Sequence, residues 1–194
     1  KFKKNKNKVL EEIQQITKTS GKPLVASSGL SIQYAILMGL IHEAKATLNT
    51  KKIQIIVPTN CYGGTNDQAR RIANAIDGVE ITDLHVDGEN DMVRSIDQVL
   101  HQVAQDDAVP YIIAEIPTNP RVEVPDLSEL KRVLAKKRLT RSGAKAIEPV
   151  FILDQTFCPN IHFLGKGEFL SEIKAISYVS GSKFPSGGKC TAGY

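Results

Sequence analysis

The sequence contains no tryptophan and only six phenylalanines and five tyrosines among 194 residues. So few flat side chains argue against a platform that stacks nucleobases. Cysteine is also scarce. Cys61, Cys158 and Cys190 are odd in number and lack the paired spacing of a metal-ligand set. They offer no disulfide framework and point to a reducing compartment. No apolar run approaches the ~20 residues that cross a bilayer, and no apolar leader opens the chain. A cytoplasmic location with no membrane partner is therefore expected. The net charge is only +4, and part of it sits in Lys1, Lys3, Lys4, Lys6 and Lys8. No basic stripe or interleaved aromatic follows, so this cluster reads as the solvated start of a helix rather than a nucleic-acid arm.

What is present is ordinary for a globular chain: 41% hydrophobic and 24% charged residues. The length suits one sizeable core. Helical periodicity is expected over 9–19, 31–46, 66–75, 91–105 and 126–137. Between these stretches lie short apolar runs at 52–58, 110–116, 150–153 and 176–179, which read as buried strands, and a segment at 79–86 whose alternation of apolar and polar residues reads as a strand covered mainly on one face. Positions 139–148 read as loop. The alternation of strand and helix implies an α/β domain with a mostly parallel sheet flanked by helices on both faces.

The residues that could carry chemistry fall where one element hands over to the next. Ser27 or Ser28 can cap the helix that follows. Gly29 would let a ligand come close to free N–H groups at that helix start, a setting suited to phosphate as well as to a plain cap. A double glycine, Gly63-Gly64, marks a tight loop that carries Tyr62 just past a strand. Pro117 and Pro120 bracket Asn119 and would fix its amide. Asp154 directly follows four apolar residues, where a carboxylate needs a cation or good donors, unless it caps the next turn. Ser180 and Ser182 precede Lys183. A lysine held among small residues at a strand end can be desolvated, which frees the neutral amine to form a Schiff base. In open parallel sheets such edges converge on a crevice.

Five pieces, Ser28-Gly29-Leu30, Tyr62-Gly63-Gly64-Thr65, Pro117-Thr118-Asn119-Pro120, Asp154-Gln155-Thr156-Phe157 and Ser180-Gly181-Ser182-Lys183, stand in one order along the chain. In that order the sequence resembles the Cys/Met-metabolism family of pyridoxal-phosphate enzymes, the group of cystathionine γ-synthase, cystathionine γ-lyase and methionine γ-lyase. The resemblance implies a fold-type-I large domain, with residues 1–194 as its central part and the family's N-terminal arm and C-terminal domain lying outside. It implies pyridoxal 5'-phosphate as cofactor. Lys183 would form the internal aldimine and move protons. Tyr62, the second catalytic residue, would stack on the ring. Asp154 would pair with the ring nitrogen, Asn119 with the phenolic oxygen, and Thr156 would sit beside the ring. Ser28, Gly29 and Leu30, with Ser180 and Ser182, would hold the phosphate. Gln155, Ser182 and Gly187-Gly188-Lys189-Cys190 depart from the family's usual residues, the last most strongly.

The function so implied is γ- or β-elimination or replacement on a sulfur-containing amino acid, by a homodimer or homotetramer. Two alternatives remain open at this point: a non-catalytic α/β module that binds no cofactor, and an aminotransferase of the same fold.

Overall fold

The computed structural model describes residues 2–48, 51–87 and 91–194. Lys1 of the N-terminal lysine cluster lies outside the described residues. The elements are α1 (Phe2–Thr17), α2 (Gly29–Thr47), β1 (Ile53–Pro58), α3 (Gly63–Ala75), β2 (Val79–Leu84), α4 (Met92–Gln105), β3 (Val109–Glu115), α5 (Leu127–Ala135), β4 (Val150–Asp154) and β5 (Ala175–Tyr178). The strands form a single five-stranded sheet in the order β2-β1-β3-β4-β5. All four strand pairings are parallel. The α/β architecture read from the sequence is thus the observed one.

Each face of the sheet has its own core. On one, Ile56, Ile112, Phe151 and Leu153 meet Ile96, Leu100, Leu130 and Val133 of α4 and α5. On the other, Ile55, Val57, Ile113 and Ile152 meet Ile32, Ile36 and Leu37 of α2 and Ala69 and Ile72 of α3. The strands carry apolar residues at consecutive positions because helices cover both sides. β2, at the sheet's edge, is buried only at its two ends, Val79 and Leu84, with Glu80 and Asp83 exposed between them, so the alternation expected of it is not a clean one.

Three helices start on a side-chain cap. Ser28, Asp91 and Asp126 each accept the backbone N–H three residues on. Of the two serines able to cap α2, Ser28 does so. Several boundaries differ from those expected. α1 begins inside the lysine run rather than at Val9. Gly63 and Gly64 form the first turn of α3 rather than a loop, because the Tyr62 carbonyl accepts the N–H groups of Thr65 and Asn66. α5 ends at Ala135, two residues early. Within 139–148, expected as loop, Leu139 and Lys145 form an isolated antiparallel bridge.

The strand order reverses at β1, which lies between β2 and β3. Chains leaving β1 and β3 therefore turn to opposite sides, and a crevice opens between them. The backbone register shows where. β1 pairs with β2 as far as Pro58↔Leu84, and β3 with β4 as far as Glu115↔Asp154. Between β1 and β3 the register stops at Ile56↔Ile112.

Candidate functional site

A cavity of about 420 Å³ lies over the carboxyl ends of the strands. Ser28, Gly29, Leu30, Tyr62, Asn119, Asp154, Thr156, Ser180, Ser182 and Lys183 all line it. These are the ten candidate site residues of the sequence, drawn from five separate junctions. Gln33, Thr65, Glu115, Pro117, Phe157 and Tyr178 complete the lining.

The floor is a row of three ionisable side chains. Glu115 is in register with Asp154, and Asp154 with Tyr178. In-register residues of neighbouring strands point to the same face, so the three stand side by side. Tyr178 is 2% exposed, and its hydroxyl donates to Gln33 Oε1 at 2.9 Å. Burial, and then the nearby Asp154 charge, pushes the Tyr178 phenol up. Asp154 is partly buried, and burial holds its carboxyl above the ordinary value of 3.8. Its Oδ1 accepts the Thr156 N–H at 2.9 Å. The turn-cap role weighed from the sequence is therefore real. No cation pairs with Asp154 among the described residues.

Glu115 is 6% exposed. Oε1 accepts the Tyr62 N–H at 2.7 Å and Oε2 the Asn119 N–H at 3.2 Å. Burial, and then the adjacent Asp154, raises its pKa from 4.5 to about 7. A carboxyl raised by folding holds its proton more tightly in the folded chain than in the unfolded one. Its contribution to stability therefore falls as pH rises from about 4.5 to about 7, and is flat outside that window. The change is on the order of 3 kcal/mol. Urea unfolding at pH 5 and pH 7.5 should show this slope in the wild type. Glu115→Gln should lack it, and equal slopes in the two proteins would refute the assignment.

The wall at the α2 start is drawn in tightly. Ala26 and Gly193 exchange backbone hydrogen bonds at 2.8 and 3.0 Å, and Gly193 also bridges to Ser180. A Cβ on Gly193 would lie 2.1 Å from the Ser28 carbonyl oxygen, so only glycine fits. Thr156 Oγ1 accepts the Ser180 N–H at 2.9 Å, and the Ser180 and Ser182 hydroxyls lie 2.9 Å apart. The first turn of α2 and the two hydroxyls thus face one another across a narrow gap. A Cβ on Gly29 would stand 2.8 Å from Ser180 Cβ. On an open helix Gly→Ala stabilises by about 1 kcal/mol. Here the sign should reverse. Gly29→Ala is expected to cost about 1–3 kcal/mol through overpacking, read as a lower thermal midpoint.

Tyr62 lines the cavity and is 46% exposed, and Phe157, also on the lining, meets Phe184 edge to face at 5.7 Å. Both X–Pro bonds flanking Thr118 and Asn119 are cis. Lys183 lies in the turn after β5 and is exposed. The burial among small residues expected of this side chain is therefore absent. Lys183 is nonetheless the one lysine among the residues lining the cavity.

Sequence reasoning passed over Glu115, Gln33 and Tyr178. Glu115 carries the same signal that singled out Asp154, an acid at the end of an apolar strand.

This sheet with helices on both faces matches the fold-type-I domain of pyridoxal-phosphate enzymes. The metB protein of Corynebacterium glutamicum aligns over 95% of this chain and 40% of its own, with a TM-score of 0.65 and 18% identity. The cystathione gamma lyase of Micromonospora echinospora aligns over 96% of this chain and 41% of its own, with a TM-score of 0.63 and 19% identity. Cystathionine gamma synthase of Xanthomonas oryzae pv. oryzae, solved with aminoacrylate and cysteine, gives 94%, 39%, 0.56 and 18% for the same measures. The chain thus spans about two fifths of the length of these proteins. By sequence, no family model and no curated protein matches it. Among the described residues no helix is long and apolar enough to cross a membrane.

Proposed function

We propose that the chain is the cofactor-binding part of a pyridoxal-phosphate enzyme of sulfur amino-acid metabolism, one that eliminates or replaces a group at Cγ or Cβ of its substrate. The observation that carries this reading is the convergence of ten residues from five junctions on one cavity.

The donor set fits the cofactor. A gap that a Gly29 Cβ would fill lies between a helix start and Ser180, and both sides offer hydrogen-bond donors. N–H groups at such a helix start suit a phosphate dianion. Asp154, a partly buried acid with no cation of its own among the described residues, suits a protonated ring nitrogen. Asn119 would bond the phenolic oxygen, Tyr62 would cover one ring face with Thr156 beside it, and Lys183 Nζ would hold the aldehyde carbon.

When bound, the cofactor supplies an electron sink for charge that develops beside the substrate amine. The chain's own residues do the rest. Asp154 keeps the ring nitrogen protonated. Lys183 Nζ, once free, takes the Cα proton and returns it further along the substrate. Tyr62 shields the reacting face from water. The same reading carries a homodimer or homotetramer, and the exposed aromatic rim of Tyr62, Phe157 and Phe184 supports a second copy beside the cavity.

The test is optical. Adding pyridoxal phosphate to the purified chain should produce a visible band that borohydride bleaches, with the reduced adduct mapped to Lys183 by mass spectrometry. Protein that stays colourless at millimolar cofactor would favour the non-catalytic module instead.

A further inference from the structure

We propose that Glu115 is a positioning residue that ties the loop carrying Tyr62 to the loop carrying Asn119, and so sets the width of the slot that receives a flat ring. The second half of this statement rests on the pyridoxal-phosphate reading; the first does not.

The tie sits where the sheet gives out. Register between β1 and β3 ends at Ile56↔Ile112, although both strands continue in pairing with their other neighbours. Past that point no backbone ladder joins the two halves of the site. The Glu115 carboxylate takes its place, accepting Tyr62 N–H at 2.7 Å and Asn119 N–H at 3.2 Å. One oxygen serves each loop.

The side chain is specific to the task. A buried acid is costly where an apolar residue would pack. Two N–H donors on opposite sides need two acceptor oxygens, and only the carboxylate supplies both. Glutamine offers one acceptor oxygen and one amide NH2, and the NH2 would face a donor. Aspartate is shorter by one carbon–carbon bond, about 1.5 Å, so it could reach one loop but not both.

The charged state of the tie depends on what surrounds it. Asp154 faces it from β4, and its negative charge pushes the Glu115 proton affinity up. Tyr178 faces it from β5 as a neutral phenol. Cys61, from the loop after β1, is a neutral thiol pushed up to about 12 by burial and then by Glu115. Lys183 is the cation on the same cavity. A cationic ring nitrogen at Asp154 would cancel the like charge and favour ionised Glu115. Cofactor binding and the tie would then strengthen each other, and both would weaken in acid.

The experiment begins with the cofactor-free chain. In a pH series from 5 to 9, the amide protons of Tyr62 and Asn119 should shift together with one midpoint in NMR spectra. In Glu115→Gln both amides should exchange with solvent at least tenfold faster than in the wild type at the same pH. Amides of the Ile53–Ile56 ladder should be unchanged. Pyridoxal phosphate should then bind at least tenfold more weakly to Glu115→Gln, and the fall of wild-type affinity in acid should vanish in the variant. Wild-type amides that titrate separately, or not at all, overturn the tie, and that measurement needs no folded variant. Unchanged affinity and pH profile in the variant overturn its role in setting the slot. A shared titration in a wild type that takes up no pyridoxal phosphate supports the tie and overturns the cofactor reading.

Discussion

Lys183→Ala is expected to abolish covalent retention of pyridoxal phosphate. The purified variant should show no visible band that survives gel filtration, and borohydride should fix no adduct on the chain. Other lysines do not substitute, because Lys183 is the one that lines the cavity among the described residues. Loss of the covalent bond should weaken retention by at least ~100-fold, or roughly 2.7 kcal/mol. In protein with a complete site, loss of the proton-transfer group alone should slow turnover by about 10²–10⁴-fold. The fold should not suffer. Lys183 is exposed and sits in a turn outside both cores, so the unfolding midpoint should move little. An adduct that persists on the variant, or that maps to another lysine in the wild type, would disprove the assignment.

Asp154→Asn should move stability and binding in opposite directions. The free carboxylate is held above its ordinary pKa because burial costs it more than its hydrogen bonds return. Asparagine keeps an acceptor oxygen for the Thr156 N–H and removes the charge. It also removes the like charge beside Glu115, whose proton affinity should fall. The cofactor-free variant should therefore be as stable as the wild type at neutral pH, or more so. Binding should fall by about tenfold or more, since the ring nitrogen loses its counter-charge and its proton, at about 1.4 kcal/mol for each factor of ten. Two measurements on the same samples decide this: the urea midpoint without cofactor and the spectroscopic titration with it. A variant that is destabilised yet binds normally would show Asp154 to be a turn cap and no more.

The sheet was legible because its strands are covered on both sides. Runs such as Ile55 to Val57 and Ile112 to Ala114 are apolar at every position, and only burial on two faces calls for that. The site residues were legible because each stands at a strand exit, where one polar residue interrupts an apolar run. What escaped depended on partners distant in sequence. Gln33 falls on the helical face taken as apolar, yet it is fully buried, because Tyr178 reaches its oxygen from 145 residues away. Tyr178 was counted only as part of a strand. Glu115 lies one residue before the end of the run 110–116 and so passed as interior. Gly63 and Gly64 suggested a turn, since glycine is a poor helix former. Local bonding overrode that preference: the Tyr62 carbonyl accepts the Thr65 and Asn66 N–H groups, and a Cβ on Gly64 would meet the Tyr62 ring at 2.6 Å. Lys183 was placed correctly at the cavity but not its exposure, which depends on how the chain runs on after Ser182.

The early end of the β1–β3 register bears on how the molecule yields. Four residue pairs join β1 to β3, as many as join β4 to β5, but of the four joins it is the β1–β3 one that gives out while both strands run on beside their other neighbours, so opening has a place to start. On one side lie β2, β1 and α3; on the other lie β3, β4 and β5, with the register between the halves limited to Ile53–Ile56 against Val109–Ile112. Mild denaturant should loosen these two blocks from each other before either loses its own structure, as cooperative units commonly do. The crevice that would admit a small molecule is also the seam along which the domain should first come apart, so a guest bridging it would act as a rivet.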